Sequence, residues 1–125
     1  MIGSTRRVGV HAYTAPTDMR KGHDGLSALV ERELEGDPLS GEMFLFVSRD
    51  RKRAKVLLWD GTGLCLYSKR LEQGRFASLW RDGGSPLRLT VNELQLFLEG
   101  STLVGRVQLS PNEFERKRIV GTLAL

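Results

Sequence analysis

The sequence predicts one α+β domain, in which an antiparallel β-meander sheet packs with two or three helices. Two observations support this fold class: three strand-like apolar runs follow one another between residues 43 and 71, and segments with helical apolar spacing flank them. The length of 125 residues, with 40% hydrophobic and 27% charged residues, suits one globular domain and argues against a disordered chain. We place the domain at residues 1–106 and assign residues 107–125 to a short basic C-terminal helix or tail.

The first two predicted elements are a short strand and a helix. Apolar and other residues alternate over residues 8–12, as in a half-buried strand. Apolar residues then recur at three- and four-residue steps over residues 19–34, which predicts a helix. Glycines in its first turns place its start near Asp24, because glycine costs a helix about 1 kcal/mol relative to alanine. Gly36 and Pro38 then end the helix.

Three strands joined by two hairpin turns form the centre of the predicted sheet. The strand-like runs cover residues 43–47, 55–59 and 64–71. A charged tip at residues 48–53 joins the first pair, and an Asp-Gly turn at residues 60–63 joins the second. Asp-Gly between apolar runs is a strong hairpin signal, because glycine accepts the positive φ that such turns require.

The C-terminal part of the chain predicts one or two further strands and two helices. Residues 75–80 suggest an additional strand before a turn at residues 82–86, and residues 87–89 suggest a short strand. The sequence Thr-Val-Asn-Glu at residues 90–93 is a capping box that begins a helix. A second capping box, at residues 110–113, begins a short charged helix in the tail.

Little in the sequence indicates catalysis, and we predict no cofactor, no metal site and no catalytic residue. The histidines and the single cysteine lack the spacing of a zinc site, and nucleophile and phosphate-loop motifs are missing. The carboxylates of Asp18, Asp24 and Asp60 lie near turns and could in principle converge on Mg²⁺, so a cryptic nuclease stays as a minor alternative.

The cysteine content and the hydropathy predict a cytoplasmic protein. Cys65 lies between two leucines, which suggests a buried, inert thiol, and a single cysteine fits a reducing compartment. No apolar run approaches the roughly 20 residues of a membrane-spanning helix, so we expect no membrane association.

The positive charge is concentrated in one part of the chain. The net charge is +4, yet residues 49–55 alone carry +4 and residues 31–48 carry −4. Cations at a hairpin tip are expected to fan outward, where contacts with phosphates would release condensed counterions. Such a tip can also serve solubility or pair with an acidic partner. The candidate nucleic-acid-binding residues of this region and the next strand are Arg49, Arg51, Lys52, Arg53, Lys55, Lys69, Arg70 and Arg75.

Several linked motifs resemble one known family. They are the strings at residues 18–22 and 24–26, residues 59–64, residues 69–76 and residues 96–100. In this order and spacing they resemble TnpB, the accessory protein encoded by the second open reading frame of insertion sequence 66 elements. The resemblance covers residues 8–105, and His23 stands where the family usually carries an aromatic residue.

The resemblance implies a non-catalytic helper of DNA transposition, encoded beside a separate Asp-Asp-Glu transposase that performs strand transfer. Arg20 and Lys21 match its Met-Arg-Lys-Gly motif and join the DNA-binding candidates. Two interpretations of this motif stay open: helix-start amides and cations receive a phosphate, or Asp18 fixes the helix entry while Arg20 pairs with a carboxylate. The alternative function is an interaction or homo-oligomerisation module that docks onto the transposase through the acidic residues 31–37 and the basic hairpin.

Overall fold

The computed structural model describes residues 8–100, 103–104 and 107–108. Over these residues the predicted α+β fold class is confirmed. In chain order the elements are β1 (Val10–Ala12), α1 (His23–Glu33), β2 (Met43–Val47), β3 (Arg53–Trp59), β4 (Leu64–Arg70), a 3₁₀ turn (Asp82–Gly84), β5 (Leu87–Leu89), α2 (Val91–Leu98), β6 (Leu103–Val104) and β7 (Val107–Gln108).

Five strands form one sheet in the order β4-β3-β2-β1-β5. The meander of β2, β3 and β4 is antiparallel as predicted, and β5 pairs antiparallel with β1. β1 is parallel to β2, which differs from an all-antiparallel meander. The reason is that α1 connects the two strands and returns the chain to the same end of the sheet, as parallel pairing requires.

Strand β2 lies at the centre of the fold and is buried on both faces. Phe44 and Phe46 pack with Leu26, Leu29 and Val30 of α1 on one face. Leu45 and Val47 pack on the other face with α2 and the segment before it. A central strand covered by helices on both sides reads as an unbroken apolar run, which is the sequence of this strand.

The second face of the sheet is covered by α2 and by residues 71–81, which form no strand. The predicted strand over residues 75–80 is therefore wrong. Phe76 is fully buried and stacks on Phe97 of α2, with ring centroids 5.0 Å apart. Its backbone N–H donates to the carbonyl of Arg51 at 2.7 Å, so the segment is held as a covering loop. The predicted capping box is confirmed, since Thr90 and Glu93 hydrogen bond reciprocally.

The predicted C-terminal tail is described only in part. Val107–Gln108 pairs antiparallel with Leu103–Val104. The second capping box and the tail helix lie outside the described residues, so they stay predictions. Within the described residues, no helix is long and apolar enough to cross a membrane.

Candidate nucleic-acid interface

The basic turn between β2 and β3 is closed by a network centred on Asp50. Its carboxylate accepts hydrogen bonds from the Ser48 hydroxyl at 2.7 Å and from the Lys52 amide at 3.0 Å. These bonds, led by the one from Ser48, lower the pKa of Asp50. Arg51 adopts a left-handed backbone with φ of 59°. The hydrogen bonds therefore hold the backbone of the turn in one conformation, which fixes the positions from which its cationic side chains extend.

The loop at residues 18–21 lies beside this turn because two contacts hold it there. The Thr17 amide donates to the Val47 carbonyl at 2.9 Å, which extends the β1–β2 pairing to the point where β2 ends. The Lys55 ammonium donates to the carbonyls of Met19 and Lys21 at 2.8 and 2.9 Å. Lys55 thus fastens the loop to the sheet, next to the basic turn.

A first shallow groove of about 470 Å³ runs between the loop and the turn. Arg20 on its wall forms a bidentate ion pair with Asp18, with an Nη2–Oδ2 distance of 2.8 Å, and its own amide donates to the same carboxylate. The Arg20 side-chain hydrogen bond holds the pKa of Asp18 far below its usual range. The residues that line this groove are Asp18, Met19, Arg20, Ser48, Arg49, Asp50 and Arg53.

A second groove of about 540 Å³ adjoins the first along Met19 and Arg53. Arg53 is paired directly opposite Arg70 across β3 and β4, an arrangement of like charges that is unfavourable in the absence of an anion. Glu72 lies 3.3 Å from the Arg70 guanidinium and offsets part of this charge. The residues that line this groove are Met19, Arg53, Lys55, Ser68, Lys69, Arg70 and Glu72.

The structure separates the ten candidate residues by what their side chains do. Six of them border the two grooves, namely Arg20, Arg49, Arg53, Lys55, Lys69 and Arg70, but the Lys69 side chain points to the other face of the sheet, toward α2. Lys21, Lys52 and Arg75 line neither groove, and Arg51 turns inward, where its guanidinium donates to the Phe76 carbonyl at 3.0 Å. The Lys69 ammonium donates to the Leu98 carbonyl at the end of α2. The expectation that every hairpin cation points outward is therefore not met.

Several groove residues, among them Met19 and Ser48, were not among the sequence-based binding candidates. Met19 forms the wall shared by the two grooves, and Ser48 holds the turn. The Ser-x-Asp spacing at residues 48–50 is a local signal for such a turn, since serine and aspartate bond to nearby backbone and side-chain groups. Met19 carries no comparable signal, because its place depends on contacts made by residues far along the chain.

Two of the three carboxylates of the nuclease alternative have their own hydrogen-bond partners. Asp18 binds Arg20, while Asp60 accepts hydrogen bonds from the amides of Thr62 and Gly63 at 2.9 Å in the β3–β4 turn. Asp24 lies in the first turn of α1. No group of three metal-binding side chains converges within the described residues. This arrangement gives the nuclease hypothesis no support.

Cys65 is exposed, which corrects the expectation of a buried thiol. Leu64 and Leu66 pack toward α1, so the residue between them faces the other side of the sheet, where edge strand β4 is open. The thiol lies 3.4 Å from an Asp60 carboxylate oxygen, and this hydrogen bond raises its pKa. Cys65 is therefore a poorly ionised surface thiol.

Comparison with known proteins agrees with the motifs read from the sequence. The family model described as IS66 Orf2 like protein matches residues 8–107. The chain belongs to this family. Its members are accessory proteins of IS66 transposition, so the chain has an accessory role in transposition.

Two relatives from Sinorhizobium fredii (strain NBRC 101917 / NGR234) carry the names Uncharacterized protein y4jC and Uncharacterized protein y4hO. Each is 37% identical to this IS66 Orf2-like chain, over 101 and 100 residues respectively. The matches cover 80% of this chain and 85% and 86% of the relatives. No solved structure matches the chain at a significant level.

Proposed function

We propose that this protein is a non-catalytic accessory factor of IS66 transposition that contacts DNA phosphates through the two basic grooves. The observation that carries the proposal is the convergence of Arg20, Arg49, Arg53 and Arg70 on adjoining grooves, although they come from a loop, a turn and two strands. Phosphate contacts of this kind bind DNA with little regard to sequence, and their strength falls steeply with salt.

The exposed arginines of the two grooves are well suited to bind an anion. Arg49 and Arg53 are exposed, and neither has an ion-pair partner among the residues that the structure describes. A phosphate between Arg53 and Arg70 would relieve the repulsion of like charges across the strands. Arginine suits this task because its planar fork matches phosphate oxygens in a bidentate manner.

The test is DNA binding measured by fluorescence anisotropy over a series of salt concentrations. The double variant Arg49→Gln, Arg53→Gln removes two groove cations, and the matched control Arg32→Gln, Arg81→Gln removes the same charge outside both grooves. We expect the groove variant to bind about ten-fold more weakly, with a slope of log K against log salt smaller by about 2. Equal binding by the two variants would remove the grooves from the proposal.

A second candidate function is docking onto the separate transposase that the family implies, and the charge distribution favours it. Glu31, Glu33, Glu35 and Asp37 are exposed at the C-terminal end of α1. The basic loop lies at its N-terminal end, about 16 Å away for an eleven-residue helix. An acidic end is repelled by DNA, so it would face away from DNA toward a basic protein partner.

Co-purification with the neighbouring transposase, together with light scattering, tests this second function. The variant Glu31→Lys, Glu33→Lys is expected to lose transposase binding while it keeps DNA binding. A wild-type monomer that binds DNA and ignores the transposase would refute docking. A concentration-dependent dimer would instead favour a second copy of the chain as the partner.

A further inference from the structure

The Arg20 guanidinium is already occupied by a neighbouring carboxylate. Its Nε lies 3.1 and 3.2 Å from the two Asp18 oxygens and its Nη2 lies 2.8 Å from Oδ2. The pair is nevertheless at the surface, with 91% of the Arg20 side chain exposed and 43% of the Asp18 side chain exposed. An ion pair this open to water can exchange partners, because exposed pairs contribute little stability.

Asp18 differs from the other aspartate in the same groove. Asp50 uses one carboxylate oxygen inside the turn, where it binds the Ser48 hydroxyl and the Lys52 amide. Asp18 places both oxygens on Arg20, in the arrangement that a phosphate would adopt. Asp18 thus stands in for the anion that the groove is proposed to receive.

An internal carboxylate two residues away is always within reach of Arg20, so it competes with an anion from solution that has no other contact with the protein. A single small anion meets this competitor at a high effective concentration and has no other anchor. A DNA backbone is anchored by Arg49 and Arg53, so its next phosphate is also delivered at a high effective concentration. The Lys55 contacts hold the loop in place, so an exchange of partner by Arg20 would not require the loop to leave the groove.

We propose that Asp18 is a specificity-determining residue. By pairing with Arg20 it reduces the binding of small anions to Arg20, and it gives Arg20 up to a phosphate of a DNA backbone that the neighbouring arginines already hold. This inference rests on the proposed contact between the grooves and DNA. It adds that removal of an acidic residue increases affinity for DNA and reduces selectivity for the polyanion.

The experiment compares Asp18→Asn with Asp82→Asn, which makes the same charge change at an exposed position outside both grooves. Asparagine keeps a side-chain oxygen for the Arg20 amide, so the loop is retained. The probe is a labelled duplex of about 20 base pairs, titrated in chloride and in inorganic phosphate at equal ionic strength. We expect Asp18→Asn to bind roughly two- to five-fold more tightly than Asp82→Asn and to be weakened by phosphate more than by chloride.

The double variant Asp18→Asn, Arg20→Gln, compared with the single variant Arg20→Gln, separates the pair from a general charge effect, since both comparisons add the same charge at residue 18 and only one of them retains Arg20. The gain is the affinity of the variant with Asp18→Asn relative to its parent that keeps Asp18. If Asp18 acts through Arg20, the gain disappears in the double variant. A gain that persists without Arg20, or equal affinities for Asp18→Asn and Asp82→Asn, overturns the assignment of Asp18. Either result leaves the groove contact standing if Arg49→Gln, Arg53→Gln still weakens binding. If that variant binds like wild type, the proposed function and this inference both fail.

Discussion

A hairpin turn lies at each end of strand β3. In both turns an aspartate carboxylate accepts hydrogen bonds from nearby residues, but the two turns differ in the residue that takes the left-handed backbone. In the basic turn Asp50 binds the Ser48 hydroxyl and the Lys52 amide, and in the other turn Asp60 binds the amides of Thr62 and Gly63. Both turns need a left-handed residue. The β3–β4 turn uses Gly61, at φ of 106°, whereas the basic turn uses Arg51.

This difference shows that the cations of the basic turn have two separate tasks. A left-handed arginine is less favourable than a glycine, and such strain persists only where other contacts hold it. Arg51 is held through both its side chain and its backbone by the covering segment at Phe76. Lys55 likewise holds the 18–21 loop. These two cations build the basic end of β3, and its exposed arginines are left for binding.

The largest effect on stability is expected from Lys55→Met. Methionine fills similar space but leaves the carbonyls of Met19 and Lys21 without their donor, so we expect a loss of about 2 kcal/mol in the free energy of unfolding. Urea unfolding followed by circular dichroism measures it. Lys52→Met is the control, since Lys52 is exposed and should change stability by less than about 0.5 kcal/mol. Equal losses in the two variants would refute the division of tasks.

Several elements of the fold were predictable from the sequence, but the roles of Arg51 and Lys55 were not. Residues 43–47, 64–71 and 90–93 carry local signals for strands and a capped helix, and the structure has those elements there. Lys55 and Arg51 find their partners 34 to 36 and 25 residues away, and no local pattern encodes such distances.

Pairing across the sheet was also beyond the local signals. β1 has only three residues, so its parallel partner is set by the α1 connection rather than by its own sequence. Cys65 lies in an apolar run that looks buried, yet β4 is the edge of the sheet and leaves one face of that strand open. The convergence of Arg20 with the basic turn depends on this same topology. The sequence therefore indicated the charge of the site and could not give its shape.

A smaller effect is expected at the left-handed residues of the two turns. Arg51→Ala keeps the unfavourable backbone and loses the bond to Phe76, so we expect a loss of about 1.5 kcal/mol. Arg51→Gly loses the same bond but relieves the backbone by about 1 kcal/mol, so it should be the milder change. Gly61→Ala should cost about 1 kcal/mol through its backbone alone, because an added Cβ meets nothing within 4 Å. The order of the urea midpoints measures this, and Arg51→Gly at or below Arg51→Ala would contradict it.

The smallest effect is expected from acid, and it links the two turns through their aspartates. Hydrogen bonds from the Thr62 and Gly63 amides lower the pKa of Asp60 to about 2, from an ordinary value of 3.8. Because the folded-state pKa is the lower one, the unfolded chain binds more protons at acid pH, and this contribution is present above about pH 4 and lost as the pH falls toward 2. The urea midpoint difference between wild type and Asp60→Ala should therefore shrink as the pH falls from 6 toward 2.

The variant Asp50→Ala should show a change in the same direction, since the pKa of Asp50 is also lowered. A difference that stays constant with pH would show that the carboxylate charge does not hold either turn, and that hydrogen bonding by the neutral acid is sufficient.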